Sequence, residues 1–436
     1  MVPRGRGFLA VVAVFAVIAA SCGGGGEKEG EGGVKTDVGV TSDPCPGSQH
    51  TDRGCIYLGV LSDLTEGPFA PLAVPITDGQ KAFWKRVNDG EGIGGVYDVD
   101  IETYTRDNKY NPEEHVAKFR EIEPHILALA QSLGTPTTLA ALDLYKDLDV
   151  VAAPASWWSG WAFEDTIIES GYNYCIESMN GLDWASDEFG KPGVVMAVHY
   201  PGDYGGDSAA GVAYWAETND VTFDPAADDV QTLPNAQAGN QDAAVEAILK
   251  AKPDVVVLAT GPGEMAEIVG KTAAQGFAGQ FVGSVPTYNP AVLESEAAPA
   301  IEGLYHFVAP WGPWGTDTPA HDAMQEATGG TPPANDGFTF GWIWSYPMKA
   351  VLEQAFSDGD LTRAGVLAAV SEATVDYEGA LPNRTYGGDP TSTVVREALI
   401  AKPDPDAPLG SSVLKDFFVG PTAKAFDFTE PCSAAG

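Results

Sequence analysis

HILALAQSLGTPTTLAALDLYKDLDVVAAP, residues 125–154, decides the fold. HILALAQ is apolar enough to be buried on both faces, as is VVAAP at 150–154, and such runs suit strands covered by helices on either side. Between them, PTTLAALDLYKDL (136–148) carries apolar residues at helical spacing. Thr135 precedes Pro136, so the reading has Thr135 as an N-cap and Pro136 as the first helical residue. A strand, a helix and a second buried strand in this order form a parallel β-α-β unit.

Moving outward, the same alternation continues. IYLGVLSDL (56–64) reads as a strand, followed by a helix at 77–88 in which Ile76, Phe83 and Val87 share a face. DVDIETYT (98–105) alternates as a half-buried strand, and PEEHVAKFREIE (112–123) is helical. A second series has strands at GVVMAVHY (193–200), DVVVLAT (254–260) and QFVGS (280–284), with helices at 207–217, 241–251 and 263–275. EGLYHFVAP (302–310) precedes helices near 336–357 and 361–373, which are expected to return and cover the first sheet. The remainder reads as an irregular tail rich in Pro and Gly. About 380 residues follow position 54, too many for one ordinary core, so two α/β units are expected.

The N-terminus has a different character. Arg4 and Arg6 precede an apolar run from Phe8 to Ser21, the layout of a secretory signal (1–21). That run is shorter than the roughly 20 apolar residues a spanning helix needs. Ala19, Ala20 and Ser21 followed by Cys22 resemble a bacterial lipobox, which implies an acylated Cys22 anchoring the protein to the outer face of a membrane. Residues 22–54 then read as a flexible linker, Gly-, Glu- and Lys-rich at its start.

With Cys22 set aside, Cys45, Cys55, Cys175 and Cys432 permit two disulfides in an oxidising compartment, with three pairings open. Joining Cys45 to Cys55 would close a short loop, and joining Cys175 to Cys432 would pin the tail. No cysteine or histidine cluster has zinc spacing, and no cofactor is expected. The net charge of −37, from 61 acidic and 24 basic residues, argues against nucleic acid as a partner. No GxSxG, HExxH or P-loop motif is present, and the six histidines stand apart from one another.

Ligands of parallel sheets bind beyond the C-terminal ends of strands, where helix N-termini present N–H groups. Three loops qualify. QSLGTPTT (131–138) offers Ser132 and Thr135. APASWWSGW (153–161) sets Trp157, Trp158 and Trp161 in a non-periodic loop that suits an exposed wall. HYPGDYGGDSAAG (199–211) carries Tyr204 at a glycine-rich turn.

Taken in order, IYLGVLSDLTEGPFAPLA, QSLGTPTTLAALDLY, VVAAPAS, PGDYGGD and MAEIVGKTAAQGFAGQFVGS resemble the type I extracytoplasmic solute-binding proteins of ABC transporters, in particular the branched-chain amino acid binding family. The likeness runs from about residue 55 to 375. It implies two Rossmann-like lobes with parallel sheets joined by three crossovers: residues 55–175 with 306–375, and 176–305 with 376–436. It also implies a monomer that closes on a small molecule and docks on a permease, with no catalysis.

By that resemblance Thr135 binds the ligand carboxylate, Ala155, Ser156 and Trp157 line the site, and Tyr204 reaches it from the second lobe. Amino acid binders of the family commonly place an acidic residue after the strand matching QFVGS, where this chain has Val285. Either Glu264 or Asp203 would then have to neutralise an ammonium, because a buried unpaired charge is costly. With Phe69 opposite Trp157, the expected ligand is an amino-acid-like, amide or aromatic solute. A surface sensor of the same fold, or a lipoprotein hydrolase, are the alternatives.

Overall fold

The computed structural model describes residues 33–434, with residues 1, 28 and 29; Cys22 and nearly all of the expected signal segment lie outside the described residues. The first sheet is built on β1 (Gly54–Ser62), whose Ile56, Leu58 and Val60 are fully buried. β2 (Tyr97–Asp100) and β3 (Thr105–Asp107) lie along successive halves of one edge of β1, both parallel to it. On its other edge runs β4 (Ala128–Leu133), followed by β5 (Ala152–Ala155), again parallel. The strands of the 125–154 stretch therefore pair as parallel neighbours, joined by α3 (Thr135–Asp147).

α1 (Ala70–Asp89) precedes β2, and α2 (Pro112–Ile122) precedes β4. α1 begins seven residues before the expected start at 77. Pro71 sits in the first turn, where no N–H is needed, and Pro75 only one turn further, so neither stops the helix.

The second sheet has the order β7 (Asp229–Gln231), β6 (Val195–His199), β8 (Val255–Ala259), β9 (Gln280–Gly283), β10 (Tyr305–Ala309), β11 (Ala398–Pro403) and β12 (Ser411–Phe418). β6 to β10 are parallel; β11 and β12 are antiparallel. This corrects two expectations. The sheet is mixed rather than parallel, and the tail read as irregular supplies its last two strands. Ala398, Leu399, Ile400 and Ala401 are a short buried run, and the prolines and glycines lie at its ends and in the hairpin loop, where they do not interrupt the ladder. α4 (Tyr174–Phe189) and α5 (Asp203–Thr218) pack together on this sheet.

The chain crosses between the sheets after β5, after β10 and again before β11. Because β10 pairs with β9, residues 306–309 belong with the second sheet rather than the first. After α6 (Asp242–Ala251), α7 (Pro262–Ala274), α8 (Ala298–Leu304) and α9 (Pro319–Ala327), α10 (Gly337–Ser357) returns to the first sheet and lies along α1. Their approach depends on two glycines: a Cβ on Gly341 would stand 1.8 Å from the Ile76 carbonyl oxygen, and one on Gly79 2.0 Å from that of Phe338. Arg384, in the third crossing, donates 2.9 Å to the Glu169 carbonyl in the first and pairs with its carboxylate.

Within the stretch read as a linker, residues 35 and 36 pair with 360 and 361, residues 40 and 41 pair with 56 and 55, and Val34 and Cys45 are buried. The flexible reading therefore fails from Val34 onward, where two apolar anchors and a disulfide hold the chain. Of the three pairings, the structure forms Cys45–Cys55 and Cys175–Cys432.

Candidate functional site

A cavity of about 480 Å³ lies between the lobes, at the C-terminal ends of the first-sheet strands. The start of α1 contributes Phe69, Leu72, Ala73 and Ile76, and α10 contributes Phe340 and Trp344, one helical turn apart. From the strand ends come Leu133 with Gly134 and Thr135, then Ala155 with Ser156 and Trp157. The second lobe closes the cavity with Tyr174, Tyr204 and Pro286. Among the described residues, none that lines it carries a charge.

Thr135 does not cap its helix. Gly134 is the cap residue, at φ 95°, and Thr135 is the first helical residue. No side chain caps this helix; Thr137, two residues on, donates its hydroxyl 2.9 Å to the Gly134 carbonyl and also reaches that of Leu133. The Thr135 hydroxyl is buried, with no hydrogen-bond partner among the described residues, on the cavity wall at a helix N-terminus. A buried unpaired hydroxyl is costly, and here the positive end of a helix dipole adds to its preference for an anion.

The tryptophan loop is not an exposed wall: Trp157, Trp158 and Trp161 are 2%, 6% and 1% exposed. Trp157 lines the cavity from within an aromatic cluster, 4.9 Å from the Trp344 ring and 5.9 Å from that of Tyr174, and its indole N–H donates 2.8 Å to the Ser170 carbonyl. Trp158 and Trp161 pack edge to face in the core behind it. Trp161 donates 3.1 Å to the Ser156 hydroxyl. Across the cleft, Tyr204 donates 3.2 Å to the Thr260 carbonyl and lies 4.5 Å from the Tyr174 ring.

Two expected site residues stand elsewhere. Ser132 is buried behind the cavity, its hydroxyl 2.7 Å from that of Thr138, 3.1 Å from that of Tyr145 and 3.3 Å from Nε2 of His115. Burial holds His115 down to about 3, so this network is neutral. Alternation along β4 explains the difference, because Ser132 and Leu133 face opposite sides. Glu264 accepts from the Tyr200 hydroxyl at 2.8 Å and from the Asn235 N–H at 2.6 Å, below the second-lobe surface and off the cavity. Val285 also stays off this wall; its N–H donates 3.0 Å to Glu177. Burial pushes the Glu177 carboxyl up to about 8 even though it accepts from Val285 and Tyr172.

Sequence reasoning missed Tyr110, Tyr174, Phe340 and Trp344. Tyr110 lies in a left-handed bend with Lys109, at φ 54° and 53°, and its N–H is held by the Asn108 side chain at 2.8 Å. Its ring meets Phe69 at 4.8 Å. The Asn just before the bend was the available signal, since Asn commonly bonds the backbone two residues on. Phe340 and Trp344 were legible only as one face of a helix, which core packing explains equally well.

A family model described as periplasmic binding protein matches residues 56–407. Among solved structures, a fatty acid ABC transporter substrate-binding protein from Thermomonospora curvata is 26% identical, with a TM-score of 0.81 over 93% of this chain and 100% of that one. A branched-chain amino acid ABC transporter protein from Thermus thermophilus with bound valine is 18% identical, with a TM-score of 0.70 over 85% and 98%. A solute-binding protein of an R. palustris ABC transporter, in complex with 4-hydroxybenzoate, is 15% identical, with a TM-score of 0.69 over 85% and 99%. No curated protein matches the chain. With a family model spanning most of its length and a two-lobed α/β fold around a central cleft, the chain belongs to the periplasmic binding protein family, and it is a solute-binding protein rather than an enzyme.

Proposed function

We propose that the protein captures an apolar carboxylate, acyl or aromatic, between its lobes and hands it to a membrane permease of an ABC importer. The uncharged lining of the cavity carries this reading. An α-amino acid would bring an ammonium with no carboxylate on the wall to meet it, and desolvating that charge unpaired is costly. A carboxylate, by contrast, finds the unpartnered Thr135 hydroxyl at the N-terminus of α3, and its hydrocarbon finds Phe69, Ile76, Trp157, Phe340 and Trp344. The neighbour from Thermomonospora curvata, named for fatty acids, supports the acyl form, and the neighbour in complex with 4-hydroxybenzoate supports the aromatic one.

Closure follows from population shift. Thr135 and Trp157 belong to one lobe, Tyr174 and Tyr204 to the other, and a ligand touching both sets favours the state in which they face each other. Acylation of Cys22 would hold the monomer beside its permease, and replacing Cys22 with serine should release the mature protein into the soluble fraction. Calorimetry with octanoate, benzoate, 4-hydroxybenzoate, leucine and valine tests the ligand class. Binding of the first three with little or no binding of the amino acids is expected; tight binding of leucine or valine without the carboxylates would overturn the proposal.

A further inference from the structure

Behind the site lies a second chamber of about 420 Å³, also between the lobes. Leu72 and Phe340 line both chambers, so one layer of side chain separates them. The loop after β9 contributes to each: Pro286 faces the first chamber and Val285 the second. Much of the wall is hydrocarbon and aromatic, from Phe307, Ala309, Trp311 and Ala401.

The polar groups there are largely occupied. Asn335 donates 2.9 Å to the Pro71 carbonyl and accepts from the Gly337 N–H at 2.9 Å. Asp336 accepts from the Trp314 N–H at 2.9 Å and from the Thr339 hydroxyl at 2.8 Å, and the Tyr288 hydroxyl donates to the Gly410 carbonyl. Ser411 and the indole N–H of Trp311, which has no hydrogen-bond partner among the described residues, are the remaining polar groups on the wall. A space lined mostly by apolar side chains favours hydrocarbon over water.

We propose that this second chamber receives the distal hydrocarbon of an elongated carboxylate whose head is held at Thr135, with Leu72 and Phe340 turning aside to let the chain through. The inference rests on the carboxylate reading above and adds chain length to it. Leu72 suits the part of a gate: it lies half-buried in the first turn of α1 and borders both chambers. The specificity is then for saturated acyl chains too long for the first chamber, with short or ring-bearing carboxylates as partial ligands.

The test is a calorimetric series from hexanoate through octanoate, decanoate and dodecanoate to tetradecanoate, with benzoate alongside. Affinity should keep rising beyond octanoate, by roughly fourfold per methylene where burial is complete. Ala401→Leu and Ala309→Leu, which narrow the second chamber only, should each lower the dodecanoate-to-hexanoate affinity ratio by about tenfold or more. Hexanoate and benzoate binding by the same variants shows that the lobes have folded. A plateau at hexanoate or octanoate, or an unchanged ratio in both variants, overturns the inference and leaves the carboxylate site standing. If neither hexanoate nor benzoate binds the unaltered protein, the carboxylate reading falls and this one with it.

Discussion

Thr135→Val separates binding from folding by sign. The substitution keeps the shape and β-branching of the side chain and removes only the hydroxyl. In the unliganded protein that hydroxyl is buried with no hydrogen-bond partner, and Thr135 is only 1% exposed. Leaving a buried hydroxyl unpaired costs about 1–3 kcal/mol, so valine should raise the stability of the empty protein. For a chain of this size a gain of that order corresponds to a rise in melting temperature of roughly one to a few degrees.

Binding should move the other way. A hydrogen bond to a charged group contributes about 1.5–3 kcal/mol, so losing it should weaken carboxylate binding by roughly 10- to 150-fold. Differential scanning calorimetry of the empty protein and titration with octanoate read the two effects separately. A lower melting temperature with unchanged affinity would refute the reasoning, because it would mean that the hydroxyl serves the fold and not the ligand.

Other perturbations test the scaffold around the site. Trp157→Ala should weaken binding and also cost about 3–5 kcal/mol of stability in denaturant titrations, because the ring packs against Trp344, Tyr174, Phe340 and Trp311; an unmoved unfolding midpoint would restore the exposed-wall reading. Stability should fall as pH rises from about 6.5 to about 8.5. Burial raises Asp207 to about 7 and Glu177 to about 8, so in this window the folded chain binds more protons than the unfolded one. Below it, His115 and His306, lowered to about 3 and about 4, act in the opposite sense. Glu177→Gln should flatten the upper slope, and a melting temperature that climbs across the window would contradict the argument. Replacing Cys175 and Cys432 with serine should destabilise more than replacing Cys45 and Cys55. By chain entropy, cross-links spanning 257 and 10 residues contribute about 5.5 and about 2.7 kcal/mol, and the reverse order of melting temperatures would argue against that account.

What could be read in the chain itself was whatever depends on near neighbours. The 125–154 stretch declares strand, helix and strand because burial on both faces and helical spacing are local patterns, and the turn at Gly134 needs a residue that tolerates positive φ. The loops after β4 and β5 could be nominated because strand ends in parallel sheets have a general polarity. The same local rules misassigned Thr135: in SLGTPTT a hydroxyl before Pro looks like a cap, but Gly134 takes that place and no side chain caps the helix.

The tertiary structure decided the rest, since it brings together residues that no window contains. Phe340 and Trp344 reach the cavity only because Gly79 and Gly341 let α10 settle on α1, and Tyr174 and Tyr204 only because the chain crosses to a second sheet and back. The sequence alone determined that two β-α-β series exist and where their strands end. Which side chains face one another across the cleft, and that none of them is charged, follows from packing between segments hundreds of residues apart, where steric fit rather than local propensity sets the outcome.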